Sequence, residues 1–256
     1  MSIRFEAVQK SFGPKHILDG ISFEAAPGEI LFILGKSGMG KSVTLKHIVG
    51  MLKPDSGRVW VEDLSVGDQD AQGLVQVRTL CGMVFQHPAL LDSLTIFENI
   101  AFGLRRLARL NEAEIDDRVR ETLALVHLPE SVLQQYPIEL SYGMQKRASL
   151  ARTLAPKPKY LLFDEPTTGL DPVSTQTINQ LIFELSRKLK VTSLVVSHDM
   201  QCALKIADRI LVLDSGKILS LADVKTTVKS KEPLIRSFIE ETLNLLAPEE
   251  RKKLEL

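Results

Sequence analysis

The residues Gly35-Lys36-Ser37-Gly38-Met39-Gly40-Lys41-Ser42 fit the spacing G-x4-G-K-[ST]. Glycines at these positions let successive backbone N–H groups curl around an anionic phosphate with no Cβ in the way. Lys41 has the reach for β- and γ-phosphates, and the Ser42 hydroxyl suits a Mg²⁺ ion. By chance such a pattern arises in roughly one chain in a hundred of this length. The context strengthens it: an apolar strand, Ile30–Leu34, runs in and a helical stretch, Ser42–Gly50, runs out. Gly35, Lys36, Ser37, Gly38, Met39, Gly40, Lys41, Ser42 and Val43 are therefore candidate contacts to a nucleoside triphosphate, with ATP and Mg²⁺ the expected ligands.

A second candidate is Tyr160-Leu161-Leu162-Phe163-Asp164-Glu165, an apolar strand ending in two acids. Carboxylates at the C-terminal end of a buried parallel strand point at the ligand crevice of an α/β sheet. Asp164 suits a Mg²⁺ contact through water. Glu165, turned differently because side chains alternate along a strand, suits a base that polarises attacking water. Gln86, at the end of an apolar strand, and His198, in Ser197-His198-Asp199 after another, carry no chemistry alone; their order in the chain gives them meaning.

Short apolar runs alternating with longer helical patterns must position these groups, the βα rhythm of a mostly parallel sheet. Expected strands are Ile3–Val8, Ile30–Leu34, Arg58–Val61, Cys81–Phe85, Tyr160–Phe163, Ser193–Val196 and Arg209–Leu213. Arg58–Val61 follows the turn-like Pro54-Asp55-Ser56-Gly57 and reads as part of an antiparallel region. Between Leu104 and Leu154 strands disappear. Asn111 with Glu114 three residues on marks a helix start, and Ile115, Val119, Leu123 and Val126 fall near one face. A second helix follows Ser141, and Pro172 starts another over 172–188 with Asp171 as its cap. The basic stretch Leu104–Arg109 reads as a solvated helix face. Leu234, Ile235, Phe238, Ile239, Leu243 and Leu246 form an amphipathic helix that packs on its own domain or reaches a partner. Pro248–Lys253 begins a further helix.

Composition bounds the function. Of 256 residues, 44% are apolar and 25% charged, ordinary globular values that exclude a disordered chain. Lys plus Arg and Asp plus Glu each number 32, so there is no basic excess for nucleic acid. Cys81 and Cys202 make no disulfide framework and read as core residues of a protein from a reducing compartment. The N-terminus has no export signal, and apolar runs of about five residues fall far short of the ~20 that span a bilayer. A soluble, cytoplasmic protein is expected, meeting any membrane through a partner.

The order of P-loop, Gln86, Leu140-Ser141-Tyr142-Gly143-Met144-Gln145, Asp164-Glu165, Gly169-Leu170-Asp171 and His198 resembles the ATP-binding cassette of ABC transporters over residues 1–240. The resemblance implies an α/β P-loop NTPase fold: a RecA-like core over 1–87 and 157–240, an antiparallel β subdomain, and a helical insert over 88–156, with a helical extension over 241–256. It implies that Phe12 stacks on adenine, where the residue pattern alone reads a core side chain. Gln86 is similar to the glutamine that touches Mg²⁺ and water, and His198 to the histidine that contacts the γ-phosphate. The metal set is then Ser42, Gln86 and Asp164, and the catalytic set Glu165, His198 and Gln86. Ser141, the Gly143 amide and a helix N-terminus address the ATP of a second copy, and Asp171 lies along that interface. The segment reads LSYGM where the commonest family pattern is LSGGQ. Tyr142 must then have negative φ, since a left-handed backbone is costly for a tyrosine, and Met144 lacks a side-chain amide.

A narrower resemblance lies in Gln86–Asn99, above all Ala89-Leu90-Leu91-Asp92-Ser93-Leu94-Thr95, which is similar to the Mla-type, MCE-associated phospholipid transport ATPases. Met144, Lys190–Met200 and Pro233–Phe238 agree with it. It implies a homodimer on the cytoplasmic face of a bacterial inner membrane, bound to an integral-membrane permease dimer and working with an MCE-domain lipid-binding protein. Leu90, Leu91 and Phe97 are then expected to line or support the permease groove, or else to be core. The nearest rival is an importer cassette for a polar solute such as an amino acid. A soluble cassette acting on ribosomes or DNA lacks the expected second cassette or long inserted arms, and a regulator without turnover conflicts with Glu165 and His198 together.

Overall fold

The computed structural model describes residues 2–107 and 110–245. They fall in two compact units, Met1–Gln69 with Leu194–Leu256 and Asp70–Ser193. In chain order the first unit begins with β1 (Ile3–Phe12), β2 (Lys15–Ala25), β3 (Ile30–Leu34), α1 (Lys41–Ile48), β4 (Ser56–Val61) and β5 (Leu64–Ser65). The second holds α2 (Ala71–Leu80), β6 (Cys81–Val84), α3 (Ile96–Leu107), α4 (Glu112–Leu125), α5 (Tyr142–Leu154), β7 (Tyr160–Asp164) and α6 (Pro172–Leu189). The chain crosses back within β8 (Thr192–Ser197), and α7 (Met200–Ile206), β9 (Arg209–Asp214), β10 (Lys217–Asp223), α8 (Val224–Val228) and α9 (Pro233–Leu245) complete the first unit.

In the first unit, β2, β1, β4 and β5 form an antiparallel sheet. The Phe5 and Phe23 rings, on paired residues of β1 and β2, stack 4.6 Å apart and anchor its buried face. The β3 strand is buried at all five positions and runs parallel to β9, which pairs antiparallel with β10. An unbroken apolar run is what a strand covered on both faces requires.

The second unit pairs β6 with β7 in parallel, β7 again being buried throughout. Its helices follow local signals. Asn111 Oδ1 accepts from Glu114 N at 3.0 Å while Asn111 N donates to Glu114 Oε2 at 2.7 Å, a closed capping box. Ile115, Val119, Leu123 and Val126 are buried as the spacing predicts. Arg105 and Arg106 are exposed on α3, whereas Ala108 and Arg109 lie outside the described residues.

The structure differs from the expected elements in several places. The β1 strand extends to Phe12 rather than Val8, and β6 stops at Val84 rather than Phe85. The β2 and β10 strands and α2 were not anticipated. The β2 strand contains Gly20 and polar residues facing solvent, and its pairing with β1 shifts register repeatedly, which hides the period-two pattern. On β10 no position is fully buried, so its hydrophobic signal is weak. Cys81 and Cys202 are both buried, and burial followed by the nearby Asp199 carboxylate pushes the Cys202 thiol pKa up. The tail helix α9 packs on α7 and α8, and its Ile235 and Ile239 are buried. Leu246 and the expected helix at Pro248–Lys253 lie outside the described residues.

A buried histidine links the α1 helix to pH. His47 is 1% exposed; its Nδ1 donates to the Val43 carbonyl at 2.7 Å, and its Nε2 is buried with no hydrogen-bond partner among the described residues. Burial lowers its pKa below the usual 6.5, against the opposing Val43 carbonyl, with smaller contributions from Lys10 downward and Asp55 upward. Between that lowered value and 6.5 the unfolded chain binds a proton that the folded chain does not, so stability falls as pH drops through this window. Melting temperature measured from about pH 7.5 to about pH 5 is expected to decline, with a shallower slope in His47→Gln. An equal slope in the two proteins assigns the effect elsewhere.

Candidate nucleotide site

The first unit supplies the phosphate loop. The β3 strand ends at Leu34, and Gly35 follows so close to β9 that a Cβ there would lie 2.4 Å from the Leu213 carbonyl oxygen. At the other end Gly40, with φ +99°, caps α1, and a Cβ there would lie 2.9 Å from the Ile17 carbonyl oxygen and 2.8 Å from Leu18. Only glycine meets both constraints at position 40. Lys41 is 6% exposed, and its Nζ donates to the carbonyls of Gly35 at 2.9 Å and Lys36 at 3.2 Å. Met39 Sδ accepts from Ser215 N at 3.3 Å, tying the middle of the loop to the turn between β9 and β10. Lys36, Ser37 and Gly38 face solvent, while Ser42 and Val43 are half-buried on the first turn of α1.

Phe12 ends β1 with 48% of its surface exposed and Lys10 Nζ 5.6 Å from its ring centroid. The core reading of this residue is thus wrong, and an open aromatic face is present. His198 follows β8 and is exposed, while its neighbour Asp199 caps α7 by accepting from Cys202 N at 2.9 Å.

The second unit carries the acids and the Ser141 segment. Asp164 ends β7 at 8% exposure. Glu165 leaves the strand with φ +48°, a left-handed backbone that costs a non-glycine residue about 1–3 kcal/mol. Strand alternation therefore does not set its direction, as the sequence suggested; the turn does. Gln86 is exposed and sits two residues beyond the end of β6 rather than at it.

Ser141 caps α5, its Oγ accepting from Met144 N at 3.4 Å. Asp171 caps α6: Oδ1 accepts from Val173 N and Ser174 N, both at 3.0 Å, and Oδ2 from the Ser174 hydroxyl at 2.6 Å. The Ser174 hydroxyl, then its N–H, hold the Asp171 pKa below the usual carboxylate range. The two helix N-termini meet where a Cβ on Gly143 would lie 3.1 Å from Ser174 Oγ, around a shallow hollow lined by Ser141, Gly143, Met144, Arg147, Ser174 and Thr177. The α6 N-terminus already holds the Asp171 carboxylate, so an added anion is favoured by the α5 N-terminus. Tyr142 is the first residue of α5 and has no positive φ, as expected.

Two residues in this unit went unnoticed in the sequence. Lys146 is 3% exposed, its Nζ donating to the Gln86 and Pro166 carbonyls, and burial lowers its pKa to about 8. Asn99, fully buried, shapes the segment after Gln86: Oδ1 accepts from Leu91 N at 2.8 Å, and Nδ2 donates to Leu91 O, Leu94 O and Thr95 O. That loop leaves Leu91 38% exposed and Leu90 and Phe97 half-buried. Lysine and asparagine read as surface residues unless distant carbonyls are known to await them.

Ser42 in the first unit, and Gln86 and Asp164 in the second, each carry an oxygen donor of the kind Mg²⁺ takes. Among the described residues no cluster of three His, Cys, Asp or Glu side chains is placed to hold a metal. Mg²⁺ needs none, since it keeps waters and nucleotide phosphates as most of its ligands.

Residues 18–168 match the family model described as ABC transporter. The chain belongs to this family of ATP-hydrolysing cassettes. It is 37% identical over 239 residues to the probable ribonucleotide transport ATP-binding protein mkl of Mycobacterium tuberculosis, covering 93% of this chain and 66% of that one. The chain thus spans about two thirds of the length of such relatives. It is 38% identical over 234 residues to the methionine import ATP-binding protein MetN of Carboxydothermus hydrogenoformans, covering 91% of this chain and 69% of that one. Among solved structures, the dimeric cassette MJ0796 of a bacterial ABC transporter superposes with TM-score 0.80 at 31% identity, covering 87% of this chain and 98% of that one; it is also known in a post-hydrolysis state with ADP and Pi. The cbiO1 protein of Clostridium perfringens, part of the transporter complex cbiONQ, gives TM-score 0.83 at 29% identity, covering 99% of this chain and 98% of that one.

The close approach at Gly35 makes a direct prediction. Gly35→Ala forces Cβ against the Leu213 carbonyl and is expected to destabilise the protein by about 1–3 kcal/mol. A thermal melt indistinguishable from wild type would show that the strand ends yield freely.

Proposed function

We propose that this chain is the ATP-hydrolysing subunit of a membrane transporter, working as a head-to-tail homodimer beneath an integral-membrane permease dimer. The observation that carries the reading is the presence in one chain of a preformed phosphate loop and of an exposed Ser141 heading α5. One copy's loop and another copy's Ser141 then complete each of two sites. The dimeric state of MJ0796 supports this arrangement. No helix among the described residues is long and apolar enough to cross a membrane, so coupling falls to a partner.

In this reading Phe12 stacks on the adenine, the loop from Gly35 to Val43 wraps the phosphates, and Lys41 exchanges its carbonyl partners for phosphate oxygens. Ser42, Gln86 and Asp164 hold Mg²⁺, which neutralises charge on the phosphates. Glu165 orients water onto the γ-phosphate and His198 contacts that phosphate. The second copy contributes Ser141 and the Gly143 amide, with Asp171 along the interface. Charge on the transferring group is stabilised without a covalent intermediate. Closure and reopening of the dimer drive the permease. Residues 1–240 act as the cassette, with 88–156 as its helical insert and 241–256 as an extension.

For cargo, we propose phospholipid moved between bacterial membranes, with the dimer peripheral on the cytoplasmic face of the inner membrane and an MCE-domain protein as further partner. The Ala89–Thr95 segment and Met144 support it, and exposed Leu91 suits the permease groove. The MetN relatives favour a second reading, import of an amino acid.

Three measurements test this. Glu165→Gln is expected to retain ATP binding but lose about 100-fold or more of turnover and accumulate as a closed dimer on size exclusion. Rapid turnover by that variant removes Glu165 from the role of base. Lys41→Ala is expected to weaken nucleotide binding about 10- to 100-fold. Affinity purification from detergent-solubilised membranes is expected to recover a permease, an MCE-domain protein and phospholipid. A solute-binding protein in their place establishes the importer.

A further inference from the structure

The second unit contains a buried brace that the phosphate chemistry does not itself require. Tyr142 and Lys146 lie four residues apart on α5 and so share one face. The Lys146 ammonium reaches in two directions, to the Gln86 carbonyl in the segment leaving β6 and to the Pro166 carbonyl in the turn leaving β7, the latter at 3.1 Å. Its remaining side faces the Tyr142 ring, whose centroid is 5.5 Å from Nζ. Tyr142 Oη is 3.2 Å from His87 Nδ1, and the ring lies against Gly169, where a Cβ would be 3.5 Å from Tyr142 Cε1.

Three segments distant in sequence are thereby joined at one point: Gln86-His87, the head of α5, and the turn from Glu165 to Gly169. Glu165 has the costly left-handed backbone, and such a residue persists only where its surroundings over-determine it. Glu165 is followed by Pro166, whose carbonyl, one peptide unit beyond that of Glu165, Lys146 holds. We propose that Lys146, flanked by the Tyr142 ring, is a positioning residue for ATP turnover that fixes Gln86 and Glu165 relative to each other. This rests on the reading of Glu165 and Gln86 as turnover residues given above. Lys146 does not touch nucleotide in this scheme; it acts through the two carbonyls. Tyr142 accordingly contributes its ring to the brace and its hydroxyl to His87.

The test compares Lys146→Met, Lys146→Arg and Glu165→Gln in the full chain, purified in the complex it forms in its host membranes. Steady-state ATP hydrolysis and binding of a fluorescent ATP analogue are read for each. Lys146→Met is expected to lower kcat about 10- to 100-fold, as a displacement near 1 Å does, with nucleotide affinity within about threefold of wild type. Lys146→Arg, which keeps charge and donors, is expected to recover most of kcat. Unchanged kcat in Lys146→Met overturns the proposal. So does a parallel loss of affinity, kcat and thermal stability that arginine does not rescue, because that pattern belongs to a structural lysine. If Lys146→Met does not fold, Tyr142→Leu removes the ring without stranding a carbonyl. It is expected to lower kcat about fivefold at unchanged affinity, and an unchanged kcat overturns the brace. Glu165→Gln separates the two readings: if it still turns over ATP, the role of Glu165 fails whatever Lys146 does.

Discussion

The phosphate loop depends on the approach of the Gly35 backbone to the Leu213 carbonyl. Because nothing larger than hydrogen fits between them, β3 keeps its parallel pairing with β9 up to its last residue and then turns out at once. The turn is next fixed by Lys41, which draws the Gly35 and Lys36 carbonyls toward its ammonium. A trans peptide carries its C=O and the following N–H on opposite sides. With those two carbonyls turned to Lys41, the N–H groups of Lys36 and Ser37 point away from it. On the proposed reading, the lysine that meets phosphate thereby also sets the direction of the backbone donors beside it. Preorganisation of this kind lowers the ordering cost of binding an anion.

Each unit thus buries one lysine against main-chain carbonyls, with different consequences. Lys41 sits beside a loop with an exposed outer rim, so an arriving phosphate can compete for its ammonium. Lys146 is enclosed by the Gln86 and Pro166 carbonyls and the Tyr142 ring, and burial lowers its pKa to about 8. At neutral pH it remains charged, held by two carbonyls and an aromatic face. A lysine held in that way serves geometry rather than binding.

What could be read beforehand followed the range of the interactions. The Asn111 capping box, the Asp171 cap before Pro172 and the buried β3 and β7 strands are set by residues within a few positions of one another, and all were legible. The positions of the phosphate-loop glycines were legible because their spacing alone encodes the backbone they need. The β2 strand escaped because register shifts break its alternation, and β10 because it is not fully buried anywhere. Glu165 was legible as an acid after a strand, but its left-handed turn was not, since no local rule demands that conformation of a glutamate. Lys146 was illegible for a stronger reason: its two acceptors lie 60 and 20 residues away, and a lysine on a helix otherwise reads as solvated.

The departure of Tyr142 from the common glycine shows how a motif can change and keep its backbone. At the first position of a helix the backbone is right-handed, a conformation tyrosine adopts without strain, so nothing about the Ser141 cap or the Gly143 amide needs a glycine at 142. The new ring then finds space against Gly169 and beside Lys146. Gly143 has less latitude, because a Cβ there would press on Ser174 Oγ at 3.1 Å. The same logic separates ATP chemistry from cargo. Relatives whose names state ribonucleotide transport and methionine import are 37% and 38% identical to this chain, so identity at that level tracks the shared nucleotide machinery. On the proposed reading cargo is chosen instead by the permease, which the Leu91 loop, shaped by the buried Asn99, is suited to meet.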